Sequence, residues 1–434
     1  MNVIAVVKEY LKQPLIKNSL VYAISDGICK AMSFILLPFV SYYLLPEELG
    51  VAANYDVLQN ILSLLAGQAV VNALAYFYYD RTKDKVAELV SSLFLIILIV
   101  NVFFSIIIII STSLIENYLH IGLGLQLLAV LSTTLNLLYG INMILYRLED
   151  SPYSFAKLQI ATAIIQIVLL VVLVIQLRMG AIGKIYSSIG GYVLLSGLHL
   201  YLLIKRGYFR FHISLSAIKE LLKFGIPLLP HSLSFWIKSG MDKILLTTYC
   251  GLAVNGLYSM AMSFGAIYSL FNSSFMMAYT PYLQKRINNI PQDRVEEEKT
   301  NIVRLTYKIG ICFVALYFVI VIACWVLMKY LLSEKYSESF QFVPWIMLSL
   351  TIYSFYSLVI QFPYTVKKTL GLGAITFTCS LIQLGLTFIL IRYMGQDGIK
   401  ISLVAGALLI MVSVWWYSNK VYSMPWLKSI YKRN

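Results

Sequence analysis

The residues of this chain best suited to chemistry are charged side chains set inside long apolar runs. Asp26 and Lys30 stand four apart in one such run, and Lys238 and Asp242 stand four apart in another, with Lys243 beside them. Four-residue spacing puts each pair on one face of a helix. A charge at the centre of a bilayer costs roughly 2.5–3.5 kcal/mol on insertion scales, so such a group faces water, a partner or an ion pathway. One reading is a wet lining. Lys30, Lys238 and Lys243 would then meet an anionic cargo, and Asp26, Asp242 and the nearby His231 would respond to a coupling ion. The other reading is internal salt bridges that only hold helices together. Uncharged polar residues pose the same choice. Tyr139 and Asn142 share one stripe, and Gln159 and Gln166 share another. Phenols and amides suit sugar hydroxyls, but they also tie helices to one another in lipid. Arg147 and Lys157 flank a short loop, where the planar Arg fork would meet phosphate oxygens. The same two residues could equally be simple topology-setting charge.

Other chemistries lack their residues. The four histidines, at 120, 199, 212 and 231, have no metal-ligand spacing. The five cysteines are an odd number without a CxxC pair, which argues against a disulfide framework or metal site. No Gly-rich phosphate loop ending in Lys-Ser/Thr occurs, so no built-in ATPase is expected. The expectation is therefore no cofactor, no metal and no enzymatic activity. A net charge of +14 raises the question of nucleic acid. The basic residues fall instead into short segments between apolar runs, the pattern of membrane topology.

The elements that must position these residues are membrane spans. The chain has 434 residues, 59% hydrophobic and only 12% charged. Runs such as 91–111 and 161–177 approach the ~20 residues that cross a hydrocarbon core. Continuous apolar runs mean helices, because a barrel would need short alternating strands. About twelve spans are expected, near 18–44, 54–79, 89–111, 119–146, 158–177, 181–204, 224–249, 254–280, 305–330, 341–366, 369–392 and 398–419. With the N-terminus inside, inner segments carry 25 Lys and Arg and outer loops 6. That bias places both termini in the cytoplasm. No cleavable secretory signal is evident, and the first span would serve for targeting. The hydrophilic stretch 284–304, with Glu296, Glu297 and Glu298, reads as an intracellular linker between two bundles.

The chain also looks duplicated. Lys8-Glu9-Tyr10-Leu11-Lys12 precedes the first span much as Lys219-Glu220-Leu221-Leu222-Lys223 precedes the seventh. Parallel six-span repeats would enclose a cavity along the membrane normal. The expected lobes are 1–206 and 207–434, the second opening with an interfacial amphipathic segment over 212–223.

Leu37-Pro38 followed by Leu44-Leu45-Pro46-Glu47-Glu48-Leu49-Gly50 resembles the end of the first span of polysaccharide exporters. Leu222-Lys223-Phe224-Gly225-Ile226-Pro227-Leu228-Leu229-Pro230, then Asp242-Lys243, then Asn255-Gly256-Leu257-Tyr258-Ser259 resembles the opening of their second half. On these motifs the chain is similar to Wzx-type O-antigen flippases of the multidrug/oligosaccharidyl-lipid/polysaccharide exporter superfamily. The resemblance implies an all-α, MATE-like, V-shaped pair of pseudo-symmetric six-helix lobes working by alternating access. It implies an undecaprenyl-pyrophosphate-linked oligosaccharide, moved from inner to outer leaflet of a bacterial inner membrane under an ion gradient. Other polysaccharide assembly proteins are implied partners, and nucleic acid is not. Asp242-Lys243 stands where relatives often have Asp-Arg, which keeps the charge but loses the bidentate fork. The alternatives are a cation-coupled multidrug exporter, a membrane polymerase or glycosyltransferase, and a scaffold. The excess of buried Lys over Asp favours an anionic cargo. The shortness of the outer loops leaves no room for a catalytic domain.

Overall fold

Backbone polar groups in hydrocarbon must be satisfied within the segment itself, which a helix does completely. A computed structural model describes residues 14–210, 212–366, 368 and 370–426, and among these it contains helices and no strand. Ten helical stretches are long and apolar enough to cross a membrane. The fold is that of an all-α membrane protein. The segment Lys8–Lys12, compared above with Lys219–Lys223, lies outside the described residues.

The chain forms two compact units, Met1–Trp236 and Ile237–Asn434. The first holds α1 (Pro14–Ile35), α2 (Leu37–Tyr43), α3 (Pro46–Ser63), α4 (Ala69–Phe77) and α5 (Lys83–Leu119). It continues with α6 (Leu123–Leu148), α7 (Pro152–Leu170), α8 (Gly180–Lys205) and α9 (Leu215–Gly225). Proline explains several starts. Pro38, Pro46 and Pro152 occupy the first turns of α2, α3 and α7, where a missing N–H costs nothing. The second span is broken between α3 and α4 by a wide turn, Leu64–Gln68, in which Gly67 leaves helical geometry at φ 150° and ψ 5°. Only glycine visits that region readily.

The core of this unit joins α4, α5, α6 and α9, with Leu74, Leu93, Ile141 and Leu221 almost wholly buried. The segment expected to be amphipathic is α9. Its Ala217 and Leu221 are buried in that core. Its Glu220 pairs with Arg81, and Tyr78 and Tyr208 join hydroxyls at 3.0 Å close by.

The divide between the units falls inside α10 (Leu229–Cys250). Then follow α11 (Leu252–Asn288), α12 (Val295–Leu331), α13 (Val343–Val359), α14 (Gln361–Thr365), α15 (Leu370–Met394) and α16 (Gln396–Val421). Helices α10 and α11 occupy the places expected for spans seven and eight. They are too polar to be counted among the ten apolar stretches.

The stretch 284–304 differs from expectation. It is not a linker. Helix α11 runs through Asn288, a short turn follows, and α12 already begins at Val295. Glu296, Glu297 and Glu298 fill the first turn of α12, where the positive end of the helix dipole favours acids. Arg286 and Glu298 pair at 2.9 Å across the turn, within the second unit.

The α15–α16 hairpin depends on a close approach. A Cβ placed on Gly398 would lie 2.4 Å from the carbonyl carbon and oxygen of Leu390. Backbone cannot yield as a flexible side chain can. Gly398→Ala is expected to destabilise the protein by about 1–3 kcal/mol, the usual cost of overpacking. Gly373→Ala, with nothing within 4 Å of its Cβ, should leave stability unchanged or raised. The thermal unfolding midpoints of the two detergent-solubilised variants decide the point.

Candidate functional site

Of the two four-spaced charge pairs, only one closes. Lys30 Nζ lies 2.7 Å from Asp26 Oδ2 on α1, and both side chains are about half exposed. Gln159 on α7 donates to the other carboxylate oxygen of Asp26 at 3.4 Å. One turn before Asp26, the Tyr22 ring meets Phe155 edge-on, with centroids 4.9 Å apart. On α10 the arrangement differs. The Lys238 ammonium lies over the Tyr353 ring at 4.1 Å. Asp242 is buried, and the Tyr258 hydroxyl donates to it at 3.4 Å. Lys243 is partly buried and has partners of its own. His231 lies on α10, but its side chain is outside the described residues.

The polar stripes of the first unit divide into two kinds. Asn142 is fully buried, donates to the His199 carbonyl on α8 at 3.1 Å and accepts from Arg206 at 3.4 Å. Gln166 donates to the Ser188 carbonyl, again on α8, at 2.6 Å. Tyr139 packs against the rings of Tyr192 and His199, each 5.4 Å away. All three contact α8. Gln159 joins the Asp26–Lys30 group instead. Lys157 is exposed on α7.

Arg147 is different again. It ends α6, and its guanidinium stacks over the Phe155 ring at 4.7 Å. Among the described residues its guanidinium has no hydrogen bond or ion pair, so its donors are open to a ligand. It also lines a cavity of about 190 Å³ between α4 and α6, together with Ser63, Gln68, Asn72 and Asn136. Sequence reasoning passed over Gln68, Asn72 and Asn136. The available signal was the i,i+4 spacing of Gln68 and Asn72, which puts two amides on one helix face directly after Gly67.

The polysaccharide biosynthesis protein family matches residues 40–341, well over half of the chain. An Lsg locus protein of Haemophilus influenzae is 21% identical over 93% of this chain and 98% of its own length. Among solved structures, the lipid II flippase MurJ in an inward closed conformation superposes with a TM-score of 0.72. It is 14% identical and covers 92% of this chain and 87% of its own. An inward-facing multidrug resistance MATE family transporter of the MOP superfamily gives 0.71 at 17% identity, covering 90% and 94%. At these identities the structures establish the fold.

The two kinds of amide make a testable contrast on α6. Asn142→Ala removes hydrogen bonds to three partners, Leu138, His199 and Arg206, and should cost about 1 kcal/mol, in the range of interhelical polar contacts in membranes. Asn136→Ala, six residues away, removes none and should leave the unfolding midpoint unchanged. Equal losses for both variants would contradict this division.

Proposed function

The chain belongs to the polysaccharide biosynthesis protein family, and from that premise we propose that it is a flippase for an undecaprenyl-pyrophosphate-linked oligosaccharide. The cargo passes from the inner to the outer leaflet of a bacterial cytoplasmic membrane by alternating access between two six-span repeats, 1–206 and 207–434. The distribution of Lys and Arg supports both termini inside, and in that orientation Arg147 lies at the cytoplasmic end of α6. Moving an intact lipid-linked saccharide makes and breaks no bond, which agrees with a chain whose motifs offer no catalytic centre.

The observation that carries the proposal is Arg147. Its guanidinium is held by a ring face rather than by a carboxylate, and it opens onto a cavity lined by amides. Cation–π stacking orients a guanidinium while leaving its edge free. A free, oriented fork binds phosphate oxygens in pairs. Lys157 adds an exposed ammonium on the neighbouring helix. In this proposal Lys30, Lys238 and Lys243 give the moving headgroup further cationic contacts, while Tyr139, Asn142 and Gln166 shape the first unit and Gln159 holds Asp26. Asp26, Asp242 and His231 are the proposed ion-coupling groups. Asp242 supports that role because it is buried and takes a hydrogen bond from the Tyr258 phenol, with Lys238 and Lys243 near enough to act on it.

Reconstitution tests the proposal. The purified protein in liposomes should exchange undecaprenyl-pyrophosphate-linked oligosaccharide between leaflets faster than protein-free vesicles, read with a membrane-impermeant reagent, and faster with an imposed pH gradient. Arg147→Ala should slow exchange about 10–100-fold, the scale of a charged hydrogen bond worth roughly 1.5–3 kcal/mol. Arg147→Lys should fall between, keeping charge without the fork. Export of a cationic dye with no lipid exchange would replace this proposal with a drug exporter.

A further inference from the structure

We infer that the cavity between α4 and α6 is a saccharide-reading subsite, in which Ser63, Gln68, Asn72 and Asn136 hydrogen-bond the sugar next to the diphosphate while Arg147 holds the diphosphate itself. The inference rests on the proposed function and deepens it, by locating where the headgroup is read and by which atoms.

The first support is the state of the polar side chains. Asn54, Asn142 and Gln166 each donate to a carbonyl on another helix, at 2.8, 3.1 and 2.6 Å. The side chains of Ser63, Gln68, Asn72 and Asn136 make no hydrogen bond among the described residues, although they line one cavity together; Ser63 is buried, Asn136 partly buried, and Gln68 and Asn72 are exposed. A polar side chain without a protein partner at membrane depth needs water or a ligand, because lipid offers it nothing. Side chains that only tie helices together would have found a carbonyl.

The second support is shape. Asn136, Gly140, Ile144 and Arg147 line the cavity from α6 at intervals of four, four and three residues, so they form one stripe. From Asn136 to Arg147 the stripe is about 16 Å long at 1.5 Å rise per residue. That length accommodates a diphosphate at the Arg147 end and a sugar ring beyond it. The volume of about 190 Å³ has room for about six waters and falls below the usual range of drug-sized pockets. It has room for one sugar residue. Val71 and Leu137 give the cavity an apolar wall for the C–H face of a ring.

The third support is the break in the second span. Gly67 lies at φ 150° immediately before Gln68, inside the wide turn Leu64–Gln68. A Cβ on Gly67 would lie 3.2 Å from Ile97 Cγ1. Wide π turns within helices concentrate at functional sites. Interrupted helices in transporters likewise mark where the substrate binds. Here the break carries Gln68 into the cavity.

The test compares two lipid probes on the full-length protein in nanodiscs: undecaprenyl pyrophosphate, and undecaprenyl pyrophosphate bearing one N-acetylglucosamine. Binding is read by native mass spectrometry. The wild-type chain should prefer the sugar-bearing lipid by about tenfold or more, the effect of one or two hydrogen bonds. Asn72→Leu with Asn136→Leu should abolish the preference while leaving the affinity for undecaprenyl pyrophosphate unchanged. Arg147→Ala should weaken both probes by a similar factor and keep their ratio. Leu is well tolerated in a span, and the single change Gln68→Leu, expected to halve the preference or more, covers the case in which the double variant does not fold. A double variant that keeps the full preference overturns the subsite while the flippase proposal stands. A wild type that binds both probes equally does the same. A wild type that binds neither overturns the proposed function itself.

Discussion

A hydrogen-bonding group in hydrocarbon has no water to fall back on, and this constraint organises both units. Most of the buried amides meet it by reaching a backbone carbonyl. Asn54 reaches Leu119, Gln126 reaches Thr112 and Asn142 reaches His199, each over 2.8–3.3 Å. Each such bond contributes about 0.6 to 2 kcal/mol, because the alternative state in lipid also finds partners. The contribution is modest, but it fixes which helices are neighbours and in what register. An amide that has not been used in this way stands out against that background. It marks a place where the surroundings are wet or filled by something other than protein.

Backbone irregularity obeys the same rule. Non-helical backbone survives at membrane depth only when buried in protein or beside a water-filled space. The proline-led starts of α2, α3 and α7 could be read from the sequence, because Pro38, Pro46 and Pro152 have few other places to go. The break at Gly67 could not. A glycine in an apolar run looks the same whether it admits a neighbouring helix, as Gly310 admits Phe355, or turns the chain out of helical geometry, as Gly67 does. Only the position of Ile97 and the direction taken by Gln68 distinguish the two cases.

The limits of sequence reading follow from this. The spans were legible because hydropathy acts on each segment separately. The polar stripes were legible as stripes, but their purpose depends on what lies opposite. Asn136 and Asn142 are both on α6, six residues apart. One faces a cavity and the other faces the carbonyl of His199. The acidic run at 296–298 suggested a solvated linker because charge usually means loop. A helix N-terminus accepts the same charge, and the three residues cap α12. The four-spaced pairs shared a pattern and separated only in the structure. Lys30 found its carboxylate, whereas Lys238 found a ring and Asp242 a phenol.

That difference bears on how charge would serve the proposed anionic cargo. Lys30 is neutralised by Asp26, and the pair is half exposed at 2.7 Å. Where the exposed side faces the wet lining of the proposed pathway, such an ion pair is worth only about 0–1 kcal/mol, since water screens it. Lys30 can therefore exchange its carboxylate for a passing phosphate at little cost, and Gln159 remains hydrogen-bonded to Asp26 when it does. Arg147 needs no such exchange, because its guanidinium rests on Phe155 with its donors open. The first unit thus offers one cation ready at the end of α6 and another released on contact. An anion would meet them in the order of their availability. A strong, buried ion pair at α1 would have lacked this property, because breaking it leaves an uncompensated charge in a medium that cannot solvate it.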